Sequence, residues 1–339
     1  MPDDTINDPV TGFSYPESWI RACRNPDSLS LVRAGLAVLT SSGSVLKRGF
    51  TTGTTAAACC KAAILSTGRT VDSVTVKIPC GLTVPVPVSA SGGHASCRKY
   101  AGDYPADATA GLLFSAVYSG KARGLELVPG EGIGRFFRDT PRYYAGQPAI
   151  SQPARECIFL AMNEALAQTG LDGARVSLAV PEGERVSSAT LNPKVGIRGG
   201  ISILGTTGLV EPWDDHLSES VMERVRTADR VVLTTGRIGL RHSRLLFPDH
   251  EVILAGAKLR EALAVAREGS VLCGLPGLIL RFLDPGILDG TGCLTVEELS
   301  LRPEFDERMR EAFRKGRSCY PALRVIVLDR RGLILGDSG

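Results

Sequence analysis

A regular alternation of apolar and polar residues marks two neighbouring segments in the first half of the chain. Val71 to Ile78 and Leu82 to Val88 both alternate in this way, which predicts two strands joined through Pro79-Cys80-Gly81. Pro85 and Pro87 lack the backbone N–H that a central strand needs. The second strand is therefore predicted to lie at the edge of a sheet.

One helix is predicted before this hairpin and one after it. Residues 51–66 are rich in alanine and end near Gly68, a composition that favours a closely packed helix. From Arg155 to Ala167 the apolar residues recur at helical spacing, with Ser151 placed to cap the helix and Gly170 to end it. Arg175 to Val180 then returns to a strand pattern.

After residue 210 strands and helices alternate, which is typical of a parallel sheet. The predicted strands are Arg230–Thr235, Glu251–Leu254, Ser270–Cys273, Leu323–Leu328 and Gly332–Leu335. The predicted helices are Asp214–Ala228, Lys258–Arg267 and a long polar helix, Thr295–Lys315. We expect a mixed α/β and α+β fold with two domains: an N-terminal arm (1–47), an α+β domain (48–210) and an α/β domain with a mostly parallel sheet (211–339).

Composition and charge narrow the class of protein. The chain has 339 residues, 39 Lys plus Arg against 36 Asp plus Glu, and 43% hydrophobic residues. A net charge of +3 provides no general field for nucleic acid, and no run of about 18 apolar residues predicts a membrane span. The N-terminus lacks a signal-peptide pattern, so we expect a cytoplasmic protein without nucleic-acid or membrane partners. No C-x-x-C or H-E-x-x-H motif occurs, so no protein-bound metal is predicted.

The glycine- and threonine-rich run Gly49-Phe-Thr-Thr-Gly-Thr-Thr55 stands directly before the alanine-rich helix. The unpaired N–H groups of a first helical turn, together with threonine hydroxyls, can bind a carboxylate or phosphate. A threonine-capped helix with nothing bound is the structural alternative. If the anion site is correct, replacing Thr52 and Thr54 by valine should reduce ligand affinity and leave the fold intact.

A second run of the same character lies far along the chain, from Gly199 to Gly208. Its short apolar strand, Ile201 to Leu204, leads into Gly205-Thr-Thr-Gly208 and then Glu211. Because threonine pairs beside glycine recur in two distant segments, we expect the two loops to converge on one ligand.

The run Arg48 to Ala63 closely resembles the opening signature of the CbiD family, the cobalt-precorrin-5B C1-methyltransferases of anaerobic cobalamin biosynthesis. Asn192 to Pro212 resembles the central signature of the same family almost throughout. The resemblance covers roughly residues 46–235. It implies transfer of a methyl group from S-adenosylmethionine to C1 of cobalt-precorrin-5B, giving cobalt-precorrin-6A, with the cobalt carried by the substrate.

That substrate bears many carboxylates, which arginine can bind in a bidentate manner. The arginines considered for this role are Arg48, Arg98, Arg135, Arg142, Arg155 and Arg198. The predicted substrate-binding residues are Arg48, Thr51, Thr52, Gly53, Thr54, Gly205, Thr206, Thr207, Gly208 and Glu211. Asp103 and Asp107 are the candidate catalytic carboxylates, with loop capping as their structural alternative.

The methyl donor is expected at Gly236-x-x-Gly239, directly after a strand, where a tight structural turn is the alternative. The last hundred residues depart from the family pattern, since Gly274-Leu-Pro-Gly277 stands where a histidine- and lysine-containing stretch is usual. Two other functions therefore stay open: a non-catalytic tetrapyrrole-binding paralog, and a methyltransferase for a different modified tetrapyrrole. A homo-oligomer is possible.

Overall fold

The computed structural model describes residues 5–104, 107–120, 124–139, 143–212 and 221–339. The chain divides into two compact units. One joins Met1–Val45 with Asp215–Gly339 and is called the parallel-sheet unit below; the other, Leu46–Asp214, is called the signature unit. A separate arm was expected at residues 1–47, but the described residues 5–45 group with the C-terminal residues in one unit.

The helices and strands are numbered in chain order. The helices are α1 Glu17–Ala22, α2 Leu29–Arg33, α3 Thr52–Leu65, α4 Gln152–Thr169, α5 Gly183–Ser187, α6 Asn192–Val195, α7 Val221–Thr227, α8 Gly236–Leu246, α9 Leu259–Val265, α10 Pro276–Leu283, α11 Val296–Leu299 and α12 Phe305–Cys319, with short 3-10 turns at Pro26–Ser28 and Gly256–Lys258. The strands are β1 Ile6–Asn7, β2 Ser14–Tyr15, β3 Ala37–Leu39, β4 Val45–Lys47, β5 Gly49–Phe50, β6 Val71–Lys77, β7 Thr83–Ser91, β8 His94–Arg98, β9 Leu113–Ser119, β10 Gly124–Pro129, β11 Gly132–Ile133, β12 Arg135–Phe136, β13 Gly173–Ala179, β14 Ile197–Arg198, β15 Gly200–Ile201, β16 Leu209–Val210, β17 Val231–Thr235, β18 Glu251–Leu254, β19 Val271–Gly274, β20 Arg324–Leu328 and β21 Ile334–Asp337.

The signature unit is built on a sheet in which the described strands follow the order β10-β13-β9-β8-β7-β6. Every residue of α3 is buried, because this helix packs on the sheet and against α4. Its small alanine side chains permit that close approach. Lys61, the one charged residue of α3, donates to the Thr75 carbonyl at 2.8 Å and pairs with Glu164 on α4.

The predicted hairpin is present as β6 and β7, but the edge position of the second strand is wrong. β7 lies between β6 and β8, and β6 is the edge strand. The prolines are tolerated because Pro85 and Pro87 lie in the part of β7 that pairs with β6 alone. Pairing with β8 is confined to residues 89–91, beyond both prolines.

The parallel-sheet unit has the strand order β18-β17-β19-β20-β21. The first four strands are parallel and β21 runs antiparallel. A buried cluster that includes Leu233, Ile253, Leu272 and Ile279 fills the space between the sheet and its helices. The predicted fold class, an α+β part and an α/β part with a mostly parallel sheet, is confirmed.

Several boundaries differ from the prediction. The long polar helix is two helices, α11 and α12, with Pro303 between them, where the missing backbone N–H interrupts helical bonding. Of the helix predicted from Asp214, the structure describes α7, and residues 214–220 lie outside the described residues. Ser151 occupies the N-cap position of α4, but its side chain makes no capping hydrogen bond. In the described ranges we find no helix with both the length and the apolar character to cross a membrane.

Candidate functional site

The structure brings the two threonine–glycine loops of the signature unit together. The Thr52 hydroxyl donates to the Ser202 carbonyl at 3.0 Å and accepts from the Leu204 N–H at 2.8 Å. The Thr54 hydroxyl donates to the Gly208 carbonyl at 2.7 Å. The N-terminus of α3 is therefore capped by the 202–208 loop of the protein itself.

The glycines of these loops permit that approach. A Cβ on Gly53 would lie 2.8 Å from both the Ala154 Cβ and the Leu204 carbonyl oxygen. A Cβ on Gly205 would lie 2.4 Å from the Thr51 hydroxyl oxygen. Thr51 in turn accepts the Thr54 N–H as the N-cap of α3. These contacts account for the residue types of the signature by packing and hydrogen bonding within the chain.

A buried ion pair stands beside the two loops. The Arg48 side chain is fully buried, and its Nε lies 3.1 Å from the partly exposed Glu211 carboxylate. Thr206 and Thr207, at the tip of the second loop, are exposed. Among the predicted substrate-binding residues, these two thus present side chains to solvent, whereas Thr52, Thr54 and Arg48 do not.

The candidate catalytic carboxylates both have partners within the protein. Asp103 accepts the Lys47 N–H at 2.7 Å and donates its own N–H to the Lys47 carbonyl at 2.9 Å. Asp107 pairs with the buried Lys99 and accepts from the Thr109 N–H and hydroxyl. Their catalytic role stays a prediction, and the contacts favour the structural alternative, loop capping.

The pKa of Asp107 supports that interpretation. Burial alone would raise the pKa of this carboxyl group, but hydrogen bonds from Lys99 and Thr109 outweigh it and hold the pKa below its usual value. Asp107 is therefore an ionised carboxylate at neutral pH and a weak proton acceptor. Burial lowers the pKa of the Lys99 ammonium group, against the opposing effect of Asp107.

Two arginine side chains lie against an exposed aromatic ring elsewhere in the signature unit. A third arginine, Arg135, is paired in register with Arg198 across the antiparallel pair β12–β14, and its guanidinium donates to the Gly146 carbonyl at 2.9 Å. The Arg198 guanidinium lies 4.1 Å from the centre of the Phe137 ring, and that of Arg138 lies 5.8 Å from it. Phe137 is 43% exposed. In the described part of the chain, none of these arginines lies within ion-pair distance of a carboxylate.

Arg138 and Arg198 thus lie beside the ring without a carboxylate partner among the described residues, whereas Arg135 is bonded to a backbone carbonyl. The nearest acidic residue in the sequence, Asp139, accepts the Ala145 N–H instead. Phe137 and Arg138 were not among the residues predicted from the sequence. The aromatic–arginine run Arg135-Phe-Phe-Arg138 is the signal that could have pointed to them.

The other arginines considered for carboxylate binding are occupied differently. Arg98 donates to the Gly111 carbonyl at 3.2 Å. The Arg155 guanidinium lies 5.3 Å from the centre of the Phe159 ring on the same helix. Arg142 lies outside the described residues.

Gly236 and Gly239, predicted to hold the donor, lie where β17 leads into α8 of the parallel-sheet unit. Gly236 has a left-handed backbone (φ +81°), and the space around its Cα is open. A Cβ on Gly239 would lie 2.5 Å from the Thr234 hydroxyl oxygen and 3.1 Å from the Gly274 Cα. Gly239 thus serves the close packing of α8 on the sheet, and Gly236 forms the turn.

Metal-binding chemistry is not evident in the residues that the structure describes, since no group of three or more His, Cys, Asp or Glu side chains is placed to hold an ion. The buried thiols are also unreactive in character. Burial raises the pKa of Cys60 and of Cys97 to about 12.

Comparison with known proteins decides the family. The CbiD family model matches residues 39–212. The chain belongs to the CbiD family. Within it, the chain is 56% identical to the cobalt-precorrin-5B C(1)-methyltransferase of Methanoculleus marisnigri over 98% of this chain and 99% of that protein. It is 55% identical to the protein of the same name from Methanoregula boonei, over 98% of this chain and 100% of that protein.

A solved CbiD structure is also similar. The crystal structure of the cobalamin biosynthesis protein CbiD from Archaeoglobus fulgidus has a TM-score of 0.56 and 35% sequence identity, covering 95% of this chain and 100% of that one. The alignments with the two methanogen proteins extend through the last hundred residues. The C-terminal third therefore does not set this chain apart from those CbiD relatives.

Proposed function

We propose that this protein transfers the methyl group of S-adenosylmethionine to C1 of cobalt-precorrin-5B, giving cobalt-precorrin-6A in anaerobic cobalamin biosynthesis. The observation that carries this proposal is the 56% identity, over 98% of the chain, to a protein named for that reaction. The cobalt belongs to the substrate, and no protein-bound metal takes part. We further expect the protein to act in the cytoplasm, with no nucleic-acid or membrane partner; a homo-oligomer is compatible with the proposal.

The reaction is a displacement at the sulfonium carbon. The electron pair of the ring carbon forms the new C–C bond while the S–CH₃ bond breaks, and its electrons stay on sulfur as S-adenosylhomocysteine leaves. The macrocycle gains the methyl group and the positive charge that sulfur gives up. Such a step depends mainly on holding the two reactants in line. Asp103 and Asp107 already form hydrogen bonds within the protein. This is compatible with the reaction, because the methyl transfer requires no strong acid or base.

The arginine cluster around Phe137 supports a substrate with many carboxylates. Arg138 and Arg198 offer guanidinium groups without carboxylate partners among the described residues, and the exposed ring offers an apolar face to a macrocycle. Bidentate pairs between arginine and carboxylate would hold the acetate and propionate arms. In this proposal the arginines contribute to the reaction by positioning the substrate.

The signature loops have a different part in the proposal. The two loops are held together by contacts of Thr51, Thr52, Gly53, Thr54, Gly205 and Gly208. The Arg48–Glu211 pair lies at the outer ends of the two runs in sequence, and Thr206 and Thr207 are exposed. Substrate contact is then expected at the loop tip and not at the buried hydroxyls of α3. Gly236 and Gly239 stay the proposed donor-binding turn.

The test is an anaerobic incubation of the protein with cobalt-precorrin-5B and methyl-labelled S-adenosylmethionine, followed by mass spectrometry of the macrocycle. We expect a gain of one labelled methyl group. Corrinoid binding without a mass gain would instead identify a non-catalytic paralog. Transfer to another tetrapyrrole in a parallel panel, with none to cobalt-precorrin-5B, would identify a different methyltransferase.

A further inference from the structure

The order of strands in the parallel-sheet unit marks one position at the carboxyl ends of the strands. From β17 the chain passes to β18 on one side, and then crosses to β19 on the other side of β17. Open α/β sheets bind ligands beyond the carboxyl ends of strands at such a reversal. Here that position is bounded by Thr235 of β17 and Gly274 of β19, which are paired in register.

Two hydroxyl groups at this position have no hydrogen-bond partner among the described residues. Thr234 is fully buried and Thr235 is 5% exposed. Neither Oγ1 has a donor or acceptor within hydrogen-bond distance in the described structure. Burying a hydroxyl without a partner costs free energy, so two such groups side by side in a strand end require an explanation.

Both hydroxyls lie next to the residue that lacks a side chain. A Cβ on Gly274 would be 3.3 Å from the Thr234 Oγ1 and 3.6 Å from the Thr235 Oγ1. The Ile279 Cδ1 would lie 3.3 Å from the same Cβ, so the space in front of Gly274 is bounded by one apolar group and by two hydroxyls that make no hydrogen bond in the described structure.

Two helices also begin at this edge. α8, eleven residues long, starts at Gly236 directly after Thr235, and α10 starts at Pro276, two residues after Gly274. The N-cap residue of α8 is Thr235, whose side chain makes no capping hydrogen bond, and that of α10 is Leu275, whose side chain cannot make one. Helix N-termini carry partial positive charge and unpaired N–H groups. The segments 234–239 and 273–277 contain Arg237 and no acidic residue.

We propose that the carboxyl edge of β17 and β19 binds a carboxylate group, which receives a hydrogen bond from the Thr235 hydroxyl and faces the N-terminus of α8. This inference rests on the proposed function, which supplies two ligands with carboxylates: the amino-acid end of the methyl donor and the acetate or propionate arms of the macrocycle. The same chemistry binds either one, and the experiment distinguishes them.

The experiment compares the wild-type protein with Thr235→Val by isothermal titration calorimetry. Three probes are used: S-adenosylhomocysteine, 5′-methylthioadenosine, which keeps the nucleoside and lacks the amino-acid carboxylate, and uroporphyrin, an octacarboxylic tetrapyrrole. We expect Thr235→Val to lower the affinity for one of the two carboxylate ligands about tenfold, because a hydrogen bond to a charged group is lost. The affinity for 5′-methylthioadenosine should not change.

The melting temperature of the ligand-free protein gives a second readout. A merely structural role of the Thr235 hydroxyl would make Thr235→Val melt at a lower temperature than the wild type, whereas a ligand-binding role predicts the opposite. Since valine removes a buried hydroxyl without a partner, the ligand-free Thr235→Val protein should melt at a higher temperature than the wild type. Thr235→Ser, which keeps the hydroxyl, should retain the affinity. The matched control is Thr227→Val, because Thr227 is exposed on α7 and its hydroxyl bonds its own helix.

A selective loss of S-adenosylhomocysteine affinity assigns the carboxylate to the donor, and a selective loss of uroporphyrin affinity assigns it to the macrocycle. The proposal is overturned if Thr235→Val binds both carboxylate ligands as the wild type does, or if the wild type binds neither. An equal loss for 5′-methylthioadenosine would overturn it as well. Methyl transfer by the wild type is measured separately, so the reaction and this site can fail independently.

Discussion

Two regions of this chain are built from the same residue types and differ in how their polar groups are used. At the N-terminus of α3, the hydroxyls of Thr52 and Thr54 are bonded to the 202–208 loop. At the end of β17, the hydroxyls of Thr234 and Thr235 are equally buried and have no partner in the described structure. Threonine beside glycine can thus fasten two segments of a protein or stay available to a ligand, and hydrogen-bond partners distinguish the two cases.

The sharpest test of this difference is the double variant Thr52→Val with Thr54→Val. Removing both hydroxyls leaves the Leu204 N–H and the Gly208 carbonyl without these partners, so we expect the free energy of unfolding to fall by about 4 kcal/mol. Urea denaturation measures it. This revises the expectation from the sequence that the fold would be unaffected. A stable double variant with reduced ligand affinity would restore the anion-site hypothesis.

The substitution Asp107→Asn tests whether this carboxylate of the signature unit contributes to stability and not to catalysis. The substitution leaves the buried Lys99 ammonium group without its charged partner, which should cost about 3 kcal/mol at neutral pH. Because the pKa of Asp107 is lowered in the folded state, its stabilisation is present above the ordinary pKa of aspartate. It is lost as pH falls through the folded pKa.

The difference in free energy of unfolding between the wild type and Asp107→Asn should therefore become smaller at acidic pH. Denaturation at neutral and at acidic pH measures this difference. A variant of unchanged stability whose methyl transfer is abolished would contradict the structural interpretation and favour the catalytic one.

Gly239→Ala tests packing in the second region. The new methyl group would meet the Thr234 hydroxyl oxygen at 2.5 Å, so we expect a loss of about 2 kcal/mol. Adding Thr234→Ala removes the obstructing atom and should recover most of that loss. Thermal denaturation of both single variants and the double variant gives the coupling. Additive effects would mean that Gly239 does not pack on Thr234.

The smallest effect on stability is expected for Arg198→Ala. Because this arginine has no carboxylate partner among the described residues and lies against the exposed Phe137 ring, its removal should lower the free energy of unfolding by less than about 1 kcal/mol. Affinity for uroporphyrin should nevertheless fall about tenfold as a charge-assisted contact is lost. Arg185→Ala, at an exposed ion pair with Glu182, is the control. Equal affinities of both variants would exclude the cluster from binding.

The strongly patterned elements could be predicted from sequence. The alternation of β6 and β7, the alanine-rich α3 and the strand–helix alternation after residue 230 all correspond to observed elements. Errors arose where a property depends on distant partners. The edge position of β7 was inferred from its prolines, but β8 pairs with the far end of the same strand. The interruption between α11 and α12 was missed although Pro303 signals it.

Family membership, the local chemistry of the signature runs and the absence of common metal motifs were determined by the sequence alone, since each depends on residues adjacent in the chain. Tertiary structure decided which polar groups are already bonded. It joined Thr52 to Leu204 and Lys99 to Asp107, and brought Arg198 opposite Arg135. It also left the Thr235 hydroxyl beside Gly274 without a partner among the described residues. Hydrogen bonds and charge pairs form between residues far apart in sequence, so their presence or absence follows from the fold and not from composition or spacing.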